Sequence, residues 1–368
     1  MVRVCHVTSV HPSNDGRIFR LECQSLAANG YKVYLVAQGE SREENGVQVV
    51  GIGKAPENRV ARMLMFARKA IEKSLELNCD IYHLHDPELL QFALLLKRKG
   101  KVVVFDSHEN TLEQIEEKEW IPLLIRKPLS GLYIKYASYV FKKLDALVSV
   151  TPHIVAQLKE INSNTWMITN YPRFVQYKSH DKDYDITKIC FTGGIESQWN
   201  HHRIIQIINE INGVEYILCG NGDSNYISGL KSLSGWNKVR YLGRVPFSKA
   251  IDTQLNSHMG IALLKPSKNT GGNEGSIGNT KLFEYMMAGL PIICTDFVLW
   301  KEIIDEYNCG ITVPYDDDDS IKNAIEFIRN NRAIADEMGK NGIIAVREKY
   351  NWSSQEKELL KMYERISL

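Results

Sequence analysis

The chain has 368 residues, 45 basic and 44 acidic, for a formal net charge of +1, with 44% hydrophobic and 24% charged residues. This size favours two α/β domains over one, and the composition excludes a disordered chain. The balanced charge excludes a global field that would recruit nucleic acid or an anionic surface, so no nucleic-acid partner is expected and any membrane attraction must be local.

The seven cysteines (Cys5, Cys23, Cys79, Cys190, Cys219, Cys294 and Cys309) are scattered and lack metal-ligand spacing. Most stand beside apolar residues, which predicts buried thiols in a reducing compartment rather than disulfides. The opening Val2–Val7 lacks the basic and apolar blocks of an export signal, and no stretch has the uncharged length needed to span a bilayer. The expected location is cytoplasmic, with the inner membrane face as the place of any peripheral contact.

Val2–Val7 reads as a strand, Asp15 to Asn29 as a helix and Lys32–Ala37 as a second strand. Short β-rich runs at Val47–Ile52, Ile81–Leu84, Lys101–Phe105 and Leu147–Val150 alternate with helical stretches around 60–77 and 124–144. The rhythm predicts a mostly parallel sheet covered by helices. The segment from Tyr171 to Asp185 carries Pro172, charges and little apolar periodicity, and reads as a linker. A second βα series then runs from Lys188 through Glu215–Cys219, Val239–Leu242, Met259–Leu263, Pro291–Cys294 and Ile311–Val313. Trp352, Leu359, Leu360 and Tyr363 recur at helical spacing and predict a terminal amphipathic helix, packed on its own domain or across both. The expected division is therefore 1–170, linker 171–185, 186–349 and terminal helix 350–368. The fold class is α/β, two Rossmann-like domains whose strand ends face an interdomain cleft.

Several strand ends carry residues suited to chemistry. After the first strand, Asp15 can accept sugar hydroxyls or cap the helix, Gly16 permits close approach of a ligand, and Arg17 can hold an acceptor or balance the carboxylate. Tyr82-His-Leu-His-Asp-Pro and Val102-Val-Val-Phe-Asp-Ser-His-Glu place His85, Asp86, His108 and Glu109 at neighbouring strand ends. A histidine near neutrality can exchange a proton while an adjacent acid orients it, which makes His108 the leading candidate of this group.

In the second half, Gly193 and Gly194 follow a strand and can bring peptide N–H groups close to a pyrophosphate. Cys219-Gly-Asn-Gly-Asp is a similarly permissive turn without a complete dinucleotide or P-loop fingerprint. The polar loop from Lys265 to Gly278 reads either as an enclosure for a nucleotide sugar or as simple surface flexibility. It leads into Asn279-Thr-Lys-Leu-Phe-Glu-Tyr-Met-Met-Ala-Gly-Leu-Pro, where Lys281 and Glu284 share one helical face. There Lys281 can neutralise a diphosphate and Glu284 can accept hydrogen bonds from a sugar diol; the bland alternative is a solvated Lys-Glu pair. The run Asp316–Asp319 fits a solvated helix entrance better than a metal site. The aromatic, aliphatic and basic segment from Trp120 to Lys143 fits either core packing or contact with a membrane carrying a lipid-linked acceptor.

Taken in order, His11-Pro-Ser-Asn-Asp-Gly-Arg-Ile-Phe, His83-Leu-His-Asp-Pro, Asp106-Ser-His-Glu, Thr192-Gly-Gly and the Lys281-to-Pro291 block resemble glycosyltransferase family 4, a retaining group of GT-B fold. The resemblance implies transfer of a sugar from a nucleotide-sugar donor to a glycan or lipid-linked acceptor in cell-surface polysaccharide or glycolipid assembly. It implies that Glu284 binds the donor ribose and Lys281 the diphosphate, that Asp15 and Gly16 lie in the ligand region, and that His108 contacts the transferred sugar. The first acid of the family's paired-glutamate pattern falls on Ser276, and the usual phosphate-binding cations after the first strand of the second domain are missing, so Arg203 or Arg244 would have to compensate. Candidate catalytic residues are thus Asp15, His108 and Lys281. Substrate-binding candidates are Gly16, Arg17, His85, Asp86 and Glu109, and donor-binding candidates are Gly193, Gly194, Arg203, Arg244, Lys281 and Glu284. No cofactor and no metal are expected. The competing readings are a nucleotide-sugar epimerase or hydrolase, and a regulatory module that binds a nucleotide sugar without turnover.

Overall fold

The computed structural model describes residues 1–58, 61–107, 121–178 and 185–367. It divides into two compact units, Met1–Asn170 with Trp352–Leu368, and Tyr171–Asn351. Each unit is an α/β domain around its own parallel sheet.

The first sheet comprises β1 (Arg3–Pro12), β2 (Lys32–Gln38), β3 (Arg42–Glu44), β4 (Val47–Gly51), β5 (Ile81–Leu84), β6 (Val102–Ser107), β7 (Ala146–Ser149) and β8 (Thr165–Met167). Their order is β3-β4-β2-β1-β5-β6-β7-β8, parallel except for the β3–β4 pair. Both faces of the central strands are covered, which is why Val33–Ala37 and Ile81–Leu84 are buried at every position without alternation. The helix read at 15–29 begins as a wider π-helical segment, Gly16–Cys23, before α1 (Gln24–Ala28). The stretch read at 60–77 contains a π-helical turn, Arg62–Phe66, leading into α2 (Ala67–Glu76). They are followed by α3 (Leu90–Arg98), α4 (Leu123–Phe141) and α5 (Pro152–Ile161).

In the second domain β9 (Thr187–Thr192), β10 (Val214–Cys219), β11 (Val239–Gly243), β12 (Met259–Ala262), β13 (Ile292–Thr295) and β14 (Gly310–Val313) are ordered β11-β10-β9-β12-β13-β14. This is the doubly wound order in which the chain reverses direction across the sheet beside its first strand, so a crevice opens at the carboxyl ends of β9 and β12. The covering helices are α6 (His201–Asn209), α7 (Ser224–Lys231), α8 (Phe247–Leu255), α9 (Lys281–Met287), α10 (Val298–Tyr307), α11 (Asp318–Asn330) and α12 (Arg332–Glu348). Tyr171, read as the start of the linker, is buried in this domain, its ring 4.6 Å from that of Phe283 and 5.5 Å from that of Tyr350.

The terminal helix α13 (Trp352–Ile366) belongs to the first domain. Trp352, Leu359, Met362 and Tyr363 are fully buried, and the Trp352 indole donates to Ser25 Oγ at 2.8 Å. All seven cysteines are buried free thiols, as their apolar neighbours predict. Among the described residues no helix is long and apolar enough to cross a membrane.

Candidate active site

Lys281 begins α9 at the crevice of the second domain, and its position follows from how that helix is anchored. Leu282, Phe283, Tyr285, Met286 and Met287 are all buried, and the Tyr285 hydroxyl accepts from Thr192 N at 3.3 Å, tying the helix to the end of β9. Glycines admit this packing. A Cβ on Gly260 would stand 2.4 Å from the Tyr285 ring, and one on Gly342 of α12 3.1 Å from Met286 Cα.

The half-buried Lys281 side chain turns back over the end of β9. Its Nζ lies 4.4 Å from the centre of the Trp199 ring and 5.2 Å from that of Phe191, a cation–π setting. Burial lowers the pKa of its ammonium, against the opposing pull of Glu284 and Glu196. Its positive field in turn helps burial push the neighbouring His201 down to about 3, leaving that imidazole neutral and bonded to the Tyr216 hydroxyl at 2.9 Å. The Lys281 ammonium makes no hydrogen bond to any described residue and is held by aromatic faces instead. An ammonium carried this way keeps its donors for an anion.

The two glycine motifs meet here. Gly193 N donates to Cys219 O at 2.9 Å, Gly220 N to Gly243 O at 2.9 Å, and Ile195 N to Asn221 O at 2.8 Å. A Cβ on Gly220 would lie 1.7 Å from Gly193 O, and one on Gly222 1.9 Å from Ile195 O. Close approach of the two turns therefore accounts for Gly220 and Gly222. Gly193 has a different neighbour, Lys281, and a Cβ on Gly194 would stand 2.9 Å from the Glu196 carboxylate.

The candidate cations diverge. Arg203 is bonded to Asp316 O at 3.0 Å and to the Asp318 carboxylate, on the entrance of α11 that Asp317 caps by accepting from Ser320 N. Arg244 is exposed just past β11 and forms no hydrogen bond or ion pair with the described residues. The Gly220–Gly243 bond places it along the same edge of the sheet as the glycine turns.

The loop from 263 to 280 is pinned rather than loose. Leu264 O accepts from Thr295 Oγ1 at 2.8 Å, Lys265 N donates to Gln198 O at 2.9 Å, and the buried Thr270 hydroxyl bonds Ser267 and Gly272. Ser276, at the position where the resemblance expects an acid, receives the Trp300 indole N–H on its carbonyl at 2.9 Å.

In the first domain, Asp15 is a helix cap: its Oδ1 accepts from Arg17 N and Ile18 N, both at 2.9 Å. Its Oδ2 is 3.2 Å from His11 Nδ1, and His11 Nε2 is 3.6 Å from Asp86 Oδ1. Burial opposes charge on His11, but Asp15 and Asp86 outweigh it and raise its pKa. Asp86 is buried and gathers the end of β1 by accepting from Thr8 Oγ1 at 2.8 Å and Ser9 N at 2.6 Å. Gly16 is exposed, and a Cβ there would meet nothing within 4 Å, so packing inside the domain does not demand glycine.

Arg17 and His85 point inward. Arg17 Nε is 2.9 Å from Asp106 and 3.0 Å from Glu22, while its Nη1 donates to Ile168 O and Asn170 Oδ1. His85 stands in a fully buried group with His6, His83, Glu22 and Tyr363. Burial drives the pKa values of His6 and His83 well below the ordinary imidazole value. Neither Glu22 nor the other two histidines were selected from sequence; the period-2 pattern of His83 and His85 in a strand was the available signal. His108 and Glu109 lie outside the described residues.

Residues 16–170 match the family described as Glycosyltransferase Family 4, and residues 172–344 match Glycosyl transferases group 1. A protein of Methanocaldococcus jannaschii named as an uncharacterized glycosyltransferase is 24% identical over 291 residues, 74% of this chain and 70% of the relative. A phosphatidyl-myo-inositol mannosyltransferase of Mycobacterium leprae is 26% identical over 156 residues, 42% of this chain and 38% of the relative. Among solved structures, sucrose-phosphate synthase from Thermosynechococcus elongatus superposes with a TM-score of 0.78 at 14% identity, covering 100% of this chain and 99% of that one. Anabaena HepE, solved with UDP and glucose, gives 0.76 at 10% identity, covering 99% and 100%. With both halves matched and the fold shared across its whole length, the chain belongs to the GT-B glycosyltransferases, a family 4 domain followed by a group 1 domain.

Proposed function

We propose that the protein transfers a sugar, with retention of anomeric configuration, from a nucleoside diphosphate sugar to a glycan or lipid-linked acceptor in the assembly of a cell-surface polysaccharide or glycolipid. The observation that carries this reading is the Lys281 ammonium, held by aromatic rings at the crevice of the second domain with its donors uncommitted to described residues. Lys281 meets the diphosphate, Glu284 the ribose hydroxyls, and the Gly193–Gly194 turn lets the backbone approach the phosphates, with the Gly194 N–H, unlike those of Gly193 and Ile195, outside the bonds that join the two turns. HepE was solved with UDP, which supports a nucleoside diphosphate as the donor's leaving part.

In the transfer, the bond from the anomeric carbon to the diphosphate oxygen breaks and a bond to the acceptor oxygen forms on the same face. The acceptor's proton passes to the departing phosphate oxygen. Charge grows on the diphosphate as this happens, so Lys281 and Arg244 stabilise the transition state more than the ground state. On this reading those cations, rather than a divalent ion, answer the phosphate charge. Asp15, Gly16 and His108 serve the acceptor and the transferred sugar.

An acceptor carried on lipid fits the start of α4. Leu123, Leu124 and Leu132 are 77%, 94% and 67% exposed, and Arg126 and Lys127 interrupt them, a composition suited to the headgroup region of an anionic cytoplasmic leaflet. Flotation with anionic liposomes should carry the protein upward and fail when Arg126, Lys127, Lys142 and Lys143 are replaced together.

The function is tested by incubating a panel of nucleotide sugars with membrane-extract acceptors and weighing the products. A glycosidic product supports transfer. Free or epimerised sugar instead would mean a hydrolase or epimerase, and tight donor binding without product on authenticated lipid-linked acceptors would mean a binding module.

A further inference from the structure

Within the first domain, three imidazoles and a carboxylate converge on one point beneath the sheet. His6 and His83 are register partners on the parallel strands β1 and β5, and His85 follows two residues after His83, so strand pleating sends all three rings to the same face. Glu22 descends on them from the π-helical segment that covers this face. All four side chains are buried, and one donor atom from each lies within 4.8 Å of the others.

We propose that His6, Glu22, His83 and His85 bind one divalent transition-metal ion of the zinc class, as a structural site separate from donor recognition. His6 Nδ1 is 2.9 Å from His85 Nε2 and 3.7 Å from Glu22 Oε2, and His85 Nε2 is 4.0 Å from the same oxygen. Ligands about 2.0–2.2 Å from a tetrahedral centre stand roughly 3.3–3.6 Å apart, so these separations straddle the required spacing.

The outer atoms of the same side chains are already held. His85 Nδ1 is 3.5 Å from Asp106, His6 Nε2 is 3.2 Å from the Tyr363 hydroxyl, His83 Nδ1 is 2.8 Å from that hydroxyl, and Glu22 Oε1 is 3.0 Å from Arg17 Nε. Such partners fix ring orientation; His6 Nδ1 and His85 Nε2 share a hydrogen bond that an ion between them would replace. His83 Nε2 is buried with no hydrogen-bond partner, an orphan that a metal would satisfy. Three imidazoles and one carboxylate form a closed set suited to zinc, with no position left for a reacting water. The ion would join β1, β5 and the covering helical segment, and through Tyr363 would secure α13.

The test uses the full chain refolded or expressed with added zinc, dialysed, and assayed by elemental mass spectrometry, with cobalt(II) substitution read by visible absorption. The proposal expects about one equivalent of metal per chain, a higher thermal midpoint for loaded than for chelator-stripped protein, and tetrahedral cobalt bands. His83→Gln and Glu22→Gln should lose the metal. Should either fail to fold, Tyr363→Phe, which removes only an outer partner, should weaken metal affinity about 10- to 100-fold. Folded wild-type protein with no retained metal, no cobalt bands and a midpoint indifferent to zinc would overturn the proposal. So would metal that persists undiminished in the glutamine variants.

Discussion

Lys281 lies directly against the backbone of Gly193: a Cβ at that glycine would stand 2.8 Å from both Cε and Nζ of the lysine. Gly193 also has φ +140°, a conformation that costs other residues strain. Gly193→Ala should therefore displace the ammonium from its aromatic seat and lower kcat, while the backbone strain lowers stability by about 1–3 kcal/mol. Steady-state kinetics and a thermal melt on the same sample check this; unchanged kinetics would detach the glycine from the lysine's role.

Lys281→Ala should lower turnover by about 100-fold, the scale of losing one preorganised charge-stabilising donor. Glu284→Ala should act mainly on donor KM, since the ribose contact proposed for it would be made equally in the ground and transition states. Full kinetics with a saturating acceptor separate the two effects.

Arg203 and Arg244 should part company. Arg203 is engaged with Asp316 and Asp318, whereas Arg244 is exposed beside the glycine turns. Arg244→Ala should weaken nucleoside diphosphate binding several-fold in calorimetry, in a salt-dependent way. Arg203→Ala should leave that binding near wild type and loosen the start of α11, visible as faster amide exchange there.

His11 is held between Asp15 and Asp86, and its pKa is raised above the ordinary 6.5. A histidine with a raised folded-state pKa stabilises the fold fully below its unfolded pKa, and the contribution is lost as pH rises through the folded value. The stability gap between wild type and His11→Gln should thus be widest near pH 5 and close towards about pH 8. Because the His11 side chain is 30% exposed, the gap should stay below about 1 kcal/mol. Urea melts across that range measure it.

Trp352 ties the chain's return to the first domain, being fully buried and bonded to Ser25. Trp352→Ala should cost about 3–5 kcal/mol by opening a cavity under α13. Denaturant unfolding should show the loss in the first domain's transition.

Most strands were legible because βα rhythm and apolar runs are local signals, and α9 because its buried face and Lys281 lie within a few residues; β3 and β8, three residues each, carry no such run. The Asp316–Asp319 run was legible for the same reason: capping is a four-residue pattern. What stayed hidden depends on residues far apart in sequence. Arg17 and His85 read as strand-end polar groups, yet Asp106, Glu22 and His6 draw them into the interior. Glu22 carried no signal, since only the stacking of its helical segment on β1 and β5 gives it neighbours. Gly220 and Gly222 read only as a permissive turn, and it is the approach of a second turn, distant in sequence, that requires them.

The most direct test of the account is one transfer reaction, run with the accepted donor and acceptor, in which the anomeric configuration of the product is read by NMR for wild type and Lys281→Ala. The account predicts a glycosidic product of the donor's own configuration, formed about 100-fold more slowly by the variant. A product of inverted configuration, or one formed equally fast without Lys281, would contradict it.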